Sequence, residues 1–345
     1  MRRRILCLNL LVVVWGLFAA DKLLAAEENF YQGKTLRFVV GFSPGGGFDA
    51  FTRLIGRHIG RHIPGNPAVV VENMTGAGSL VAANYIYNKA KPDGLTVGTF
   101  NGGLVVQQIL GRKGVEFDAR KSEWLGVPVQ ASSVCALRKG SGIGSLEQWF
   151  AAKEPVKLGG SAPGAVSTDD IPRILKAALN LPLVVVDGYK GTADIRLAVE
   201  SGEVAGVCNT WESFKATWPR EIQSGAIKML IQMLPKKHPE LTEVPNAVDY
   251  AKSEEGRKMI RVAYDMNAIL WIYALPPAMP KDRLQQLRRA FMNTLRDPAY
   301  LAEAKKANVD TDPLGGEEVE KIVGRFFALE SDFVQRLKTI LIPSG

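Results

Sequence analysis

From residue 35 onward, short apolar runs alternate with stretches whose apolar residues recur at helical spacing. Leu36 to Phe42, interrupted only by Arg37, predicts a buried strand. Asp49 to Ile63 predicts a helix that stops at Pro64-Gly65, followed by a strand over 69–72, a helix over 79–89 and a strand over 95–100. The alternation resumes with a strand at 156–158 and a helix over 168–179. Ser167 or Thr168 is expected to cap that helix, with Asp169 and Asp170 in its first turn, where acids suit the helix dipole. A strand (183–186), a helix (193–200), a strand (204–208), a helix (211–223) and a strand (227–234) follow, and 234–245 reads as a connection. The last block has a strand over 269–275 ended by Pro276-Pro277. Next comes a helix over 282–296 with Leu284, Leu287, Ala290, Phe291 and Leu295 on one face, then a helix over 317–341. Strands alternating with helices imply βαβ units, an α/β chain and a mainly parallel sheet. No solenoid-type repeat is present.

The N-terminus departs from this pattern. Arg2, Arg3 and Arg4 precede an apolar run from Ile5 to Ala20, and Ala25-Ala26 precedes Glu27-Glu28. A basic start, a short apolar core and small residues before an acidic segment predict a cleaved secretory signal over 1–26. The run is shorter than the roughly 20 apolar residues a spanning helix needs. Cys7 follows no small-residue run and is not read as a lipid attachment site. Removing the signal leaves 319 of the 345 residues, enough for two domains. It also lowers the net charge from +8 to +5. The basic residues are scattered, which favours anionic ligands weakly and gives no case for nucleic acid. Two cysteines remain, Cys135 and Cys208, both in apolar strand-like runs. Export would permit a disulfide, and burial would equally suit two free thiols.

The sharpest local motif is Ser43-Pro44-Gly45-Gly46-Gly47-Phe48-Asp49, between a strand and a helix. Glycines let the backbone approach a ligand closely, and N–H groups at a helix start form an anion-binding concavity. Asp49 is either a helix cap or an acceptor toward the ligand. Neither the dinucleotide nor the P-loop spacing of glycines is met, so a nucleotide site is not expected. Further loops follow strand ends: Asn73 to Ser79 with Gly78, Asn101 to Gly103, Gly159 to Gly164 with Ser161 and Ala162, Tyr189-Lys190-Gly191-Thr192, and Cys208 to Thr210 with Asn209. Open α/β sheets bind ligands at such ends, so two sets of loops facing each other make a cleft.

Enzyme chemistry finds little support. Ser161 lacks the second glycine of a nucleophile elbow. His58 and His62 stand at i, i+4, but no acid lies between them and Arg53, Arg57 and Arg61 share their helix. They are read as part of a solvated basic face rather than as metal ligands. No cofactor or metal is expected.

The run from Lys34 to Asp49 resembles the opening of the Bug-type, tripartite tricarboxylate transporter substrate-binding proteins. So do Val69 to Asn73 with Gly76-Ala77-Gly78, Lys91 to Thr96, Tyr189 to Ala193, and Ala274-Leu275-Pro276 followed by Leu295-Arg296-Asp297-Pro298. The likeness runs from about residue 30 to the C-terminus. It implies a two-lobed, type II-like Venus-flytrap fold with a central cleft. Lobe one would hold 28–128 plus 243–345, and lobe two 129–242. It also implies a small organic anion, a carboxylate, as ligand, membrane permease subunits as partners, a monomer, and location in the periplasm. The loops matching Ser43 to Asp49 and Ser161 to Thr168 (with Ser167), and the strand end matching Asn209, would contact the ligand. Phe48 stands where the family tends to have Thr or Ser, and its ring is expected to cover an apolar part of the ligand. Asp169 and Asp170 depart from the family pattern and are expected to repel a second carboxylate. A ligand-sensing protein or a secreted enzyme on the same lobes is the alternative.

Overall fold

The computed structural model describes residues 30–189, 191–307 and 309–342. The expected signal over 1–26 and Lys190 lie outside the described residues. Among the described residues, eleven strands, β1 (Thr35–Val40), β2 (Ala68–Asn73), β3 (Thr96–Asn101), β4 (Glu123–Val127), β5 (Ser133–Arg138), β6 (Val156–Gly159), β7 (Leu183–Val186), β8 (Gly206–Thr210), β9 (Ile227–Met233), β10 (Trp271–Leu275) and β11 (Leu314–Gly315), form two sheets. The larger has the order β11-β4-β10-β3-β1-β2 and the smaller β7-β6-β8-β5-β9.

Both sheets are mixed, which corrects the expectation of a mainly parallel one. Strand β1 runs parallel to β2 and β3, while β10 runs antiparallel to β3 and β4. Strand β6 runs parallel to β7 and β8, while β5 runs antiparallel to β8 and β9. Strands β5 and β10 are the first ones laid down after the chain arrives from the other sheet. A strand that enters by such a crossover is free of the same-direction return that a βαβ unit imposes.

Helices cover the sheets. The first is α1 (Gly47–Ile59), then α2 (Leu80–Asn88), α3 (Gly103–Ile109), α4 (Leu146–Phe150), α5 (Ile171–Leu179), α6 (Thr192–Ser201), α7 (Trp211–Thr217), α8 (Pro219–Gln223), α9 (Glu254–Ala268), α10 (Lys281–Arg296), α11 (Pro298–Lys306), α12 (Gly316–Phe327) and α13 (Ser331–Leu341). Leu54 and Ile55 of α1, Leu287 and Phe291 of α10 and Tyr300 of α11 pack with Leu36, Phe38 and Tyr273 of the larger sheet. Each such side chain contributes about 1.5–3 kcal/mol by burial. The expected helix over 211–223 is broken at Trp218, because Pro219 starts a new helix. The expected helix over 317–341 is likewise two. Helix α9, which lies inside the segment 243–345, packs on α5 beside the smaller sheet.

Cys135 and Cys208 stand directly opposite each other on β5 and β8 and are joined by a disulfide. Among the described residues no helix is long and apolar enough to cross a membrane.

Candidate functional site

Between β1 and α1 the chain turns through Gly41 to Gly46. Gly45 has φ +81°, a conformation that glycine adopts without steric cost. Gly46 is extended and precedes α1, with no side chain capping the helix. Ser43 to Gly47 are exposed. First-turn N–H groups have no acceptor within a helix, so those of Gly46, Gly47 and Phe48 remain available to an outside anion.

Asp49 holds this loop in shape. It is buried, and its Oδ2 accepts the Gly45 N–H at 2.9 Å. Asn73, at the end of β2, donates to Oδ1 at 2.9 Å, and Arg53, one turn on, donates to both oxygens at 2.9 Å. Burial opposes the charge of Asp49, but the bonds from Arg53, Gly45 and Asn73 outweigh it and hold the carboxyl below the usual carboxylate range. Of the two roles expected for Asp49, the geometry therefore gives neither a cap of the helix end nor a free acceptor: its oxygens are committed to the loop.

Aromatic rings back the loop. Phe48 stacks on Phe42 with centroids 4.3 Å apart and meets the edge of Trp271 at 6.3 Å, leaving its ring half-buried. The Trp271 Nε1 lies 3.9 Å from where a Cβ on Gly47 would sit. Trp271 opens β10 and pairs with Asn101 in the sheet. The local sequence marks Trp271 only as part of a strand, because its place at the loop depends on the β10 crossover. Gly78 is exposed in a run, Gly76 to Ser79, whose φ angles are all positive. Ser79 is buried, and its Oγ accepts the Asn101 N–H.

Asn101 links the two halves. Its Nδ2 donates to the Gly164 carbonyl at 3.0 Å, and its Oδ1 accepts the Gly103 N–H. Gly164 belongs to the loop after β6, so the ends of β3 and β6 adjoin. A Cβ on Gly103 would lie 2.5 Å from Val166, which shows how closely α3 approaches that loop.

The loop from Gly160 to Thr168 mirrors the first in outline. Asp169 accepts the Ser161 N–H at 2.9 Å and the Thr168 hydroxyl at 2.6 Å, and Asp170 accepts the Gly164 N–H at 3.1 Å. Both acids are fully buried. Burial, and for Asp169 also the neighbouring Asp187 carboxyl, pushes Asp169 up to about 8, while burial pushes Asp170 up to about 7. The expected cap is corrected here. Ser167 and Thr168 lie inside a π turn, Val166–Asp170, that leads into α5, and the Asp170 position before α5 makes no side-chain cap bond. The expectation that Asp169 and Asp170 repel a carboxylate changes too, since both turn inward onto their own loop. Ala162 is exposed, whereas Ser167 and Thr168 are buried.

The profile of the tripartite tricarboxylate transporter family receptors, TctC, matches residues 60–337. The chain belongs to this family. A relative from Pseudomonas sp. strain P51, the UPF0065 protein in the tcbD-tcbE intergenic region, is 24% identical over 97% of this chain and 93% of its own. The fold is that of the periplasmic binding protein BugD (TM-score 0.68, 20% identity, 90% of this receptor and 98% of BugD). It is also that of MatC from Rhodopseudomonas palustris, solved with bound malate (TM-score 0.66, 17% identity, 90% and 99%), and of an R. palustris protein solved with adipate (0.69, 18%, 89% and 97%). The receptor is thus a TctC-family solute-binding protein of the two-lobed periplasmic type.

Other residues of the receptor expected at the cleft are placed as follows. Tyr189 adjoins the second loop through its N–H, which donates to the Gly160 carbonyl, but its hydroxyl donates to Glu203 at 2.6 Å. That bond and burial push the phenol up to about 12. Gly191 is extended and precedes α6 with open space around it. Asn209 is buried, with its amide bonded to Ser213 and to the Thr210 N–H. His58 and His62 do not form a solvated face: His58 is buried against Tyr300 and bonded to Glu303, and His62 is bonded to Asp297, because α11 lies across α1. Among the described residues no three metal-binding side chains cluster. Two surface hollows lie elsewhere, one along Arg53, Arg57 and Arg61 and one at the crossover around Ala131 and Leu234.

Proposed function

We propose that this receptor captures a small organic anion, a carboxylate, between its two sheets, performs no chemistry on it, and hands it to membrane permease subunits. The observation that carries this reading is the exposed, uncapped turn Gly45 to Phe48, locked in shape by Asp49. A carboxylate placed there accepts charge-assisted N–H bonds worth about 1.5–3 kcal/mol each, helped by the helix dipole. Relatives solved with malate and adipate support the carboxylate class.

In this reading Ser43 to Phe48 and Ser161 to Thr168 are the two contact loops. Gly78, Tyr189 and Gly191 lie around them, and Asp49, Asn101 and Asn209 shape the loops rather than touch the ligand. Phe48 offers half a ring to an apolar ligand body. The lobes divide as 28–128 plus the returning segment, and 129–242. The packing of α9 on α5 supports a return nearer Ile269 than residue 243, which would leave 243–268 with the second lobe. Lobes joined by two crossings close by hinge motion.

A thermal-shift screen over mono-, di- and aromatic carboxylates tests the reading. A ligand at 100 times its Kd stabilises by about 2.7 kcal/mol. A clear shift with one carboxylate class is expected, and no shift with any of them rejects it.

A further inference from the structure

Strand β2 ends the larger sheet, so one of its edges has no neighbouring strand among the described residues. Ala68 donates its N–H to the Lys34 carbonyl and Met74 donates to the Val40 carbonyl. Backbone groups of successive strand residues alternate in direction, so the even-numbered residues face β1. The N–H and C=O groups of Val69, Val71 and Asn73 therefore face outward, and no hydrogen bond reaches them among the described residues. Native sheets usually blunt an open edge with charge, proline or a covering element. This edge reads Ala-Val-Val-Val-Glu-Asn, and Val70 is 44% exposed.

Beside the edge, between β2 and α1, runs a hollow of about 450 Å³. Val69 and Val71 line it from the strand. Arg53 and Arg57 of α1, and Arg61 in the 3₁₀ turn Gly60–His62 that prolongs α1, line it from the helix. They are the only charged side chains that line it, and all three are exposed. Each is held in place by a carboxylate outside the hollow: Arg53 by Asp49, Arg57 by Glu303 and Arg61 by Asp297. These bonds, with those to Asn73 and His58, use Nε and Nη2. The Nη1 of each arginine makes no hydrogen bond among the described residues, and a guanidinium has five N–H donors to place. The paired carboxylates cancel charge at a distance, so what the hollow offers an anion is contact with rigid, unused donors.

The spacing selects the kind of anion. Helix residues at i and i+4 stand about 6 Å apart along the axis. Side chains on one face of a strand recur every ~6.6–6.8 Å. A strand laid on the β2 edge would thus set alternate side chains against successive arginines, while its backbone meets Val69, Val71 and Asn73. We propose that the β2 edge and this arginine row are a docking surface for an acidic, extended segment of a protein partner, added as a strand with carboxylates at alternate positions. Strand addition of this kind takes affinity from backbone bonds and selectivity from alternate side chains. Arg53 and Asn73 also hold Asp49, which accepts the Gly45 N–H, so the surface ends on residues that shape the first contact loop. Docking needs no ligand in the cleft, so the ligand-free protein serves for the test, and the receptor reading can fail separately.

The probe is a labelled seven-residue peptide alternating glutamate and valine, with glutamate at both ends. Fluorescence anisotropy should show saturable binding. Arg57→Gln and Arg61→Gln, checked for folding by circular dichroism, should each weaken it roughly two- to fivefold, the range for one exposed ion pair. The isomer with its four glutamates contiguous should bind roughly tenfold more weakly, as for two such pairs lost. On the wild type, hydrogen exchange followed by NMR should slow on peptide addition at the amides of Val69, Val71 and Asn73. Val70, already bonded to β1, should not change. Equal binding of the two isomers, binding unchanged in both glutamine variants, or no added protection at Val69 and Val71 overturns the inference. So does a protein that ignores the peptide yet binds phosphatidylglycerol vesicles through Arg57 and Arg61, which would make the row a membrane contact.

Discussion

Replacing Gly46 by valine separates the ligand's needs from the fold's. Gly46 has φ −84° and ψ 173°, an extended conformation that valine adopts freely, and a Cβ there meets only the Ser43 carbonyl, at 3.7 Å. The position before α1 is already without a side-chain cap, so the substitution should cost the fold no more than roughly 1 kcal/mol. The same branched side chain projects where a carboxylate must approach the N–H groups of residues 46–48. Losing one or two charge-assisted bonds of about 1.5–3 kcal/mol each weakens binding roughly tenfold to several hundredfold. Gly45→Val is the contrasting case, because φ +81° makes it strained by about 1–2 kcal/mol even though space is open. Calorimetric titration with the best carboxylate of the thermal-shift screen, alongside circular dichroism and melting, reads both effects. Lys190→Ala serves as the side-chain control. A Gly46→Val protein that melts like the wild type and binds with unchanged affinity, while Lys190→Ala abolishes binding, would refute capture by backbone geometry.

Asp49→Ala should lower stability by about 1–3 kcal/mol, because the Gly45 N–H, Asn73 and Arg53 lose their common acceptor. The wild-type advantage over this variant should be present at neutral pH and shrink as pH falls through the lowered pKa of Asp49, which melting curves across acid pH would show. Phe48→Thr should weaken ligands with an alkyl or aromatic body more than small polar ones in parallel calorimetric titrations. Equal loss for both would make Phe48 a packing residue against Phe42 and Trp271 only. Unfolding the protein without reductant should reveal no free thiol at Cys135 or Cys208. Replacing both by alanine should cost about 4 kcal/mol on the chain-entropy account, given their separation of 73 residues, and a melting temperature unchanged by the double substitution would contradict this.

Much of the architecture was legible where the physics is local. The run Leu36 to Phe42, then glycines, then the face Leu54, Ile55 and Ile59 forecast strand, loop and helix, because burial on one face enforces the period. The face of Leu284, Leu287 and Phe291 was read correctly for the same reason. Helix α9 went unread: its mean character is polar, and only its packing on α5 reveals why Met259, Ile260 and Ala263 are buried. The candidate site was legible as loops and not as contacts. Asp169 and Asp170 fit a helix-dipole rule, yet what they do is grip Ser161 and Gly164, and that depends on a π turn with no sequence period of its own. Asn101 and Asn209 looked like ligand groups because they end strands, whereas both amides are used by nearby backbone or by Ser213. The disulfide became decidable only once β5 and β8 were paired in register.

Equilibrium dialysis against an isotopically labelled carboxylate, followed by NMR of the recovered ligand, tests most directly whether this protein captures an anion and leaves it unaltered. One equivalent of bound, chemically unchanged ligand per chain, lost in Gly46→Val, is the predicted result. Recovery of a transformed product, or no retained carboxylate of any class by a folded protein, would contradict the account.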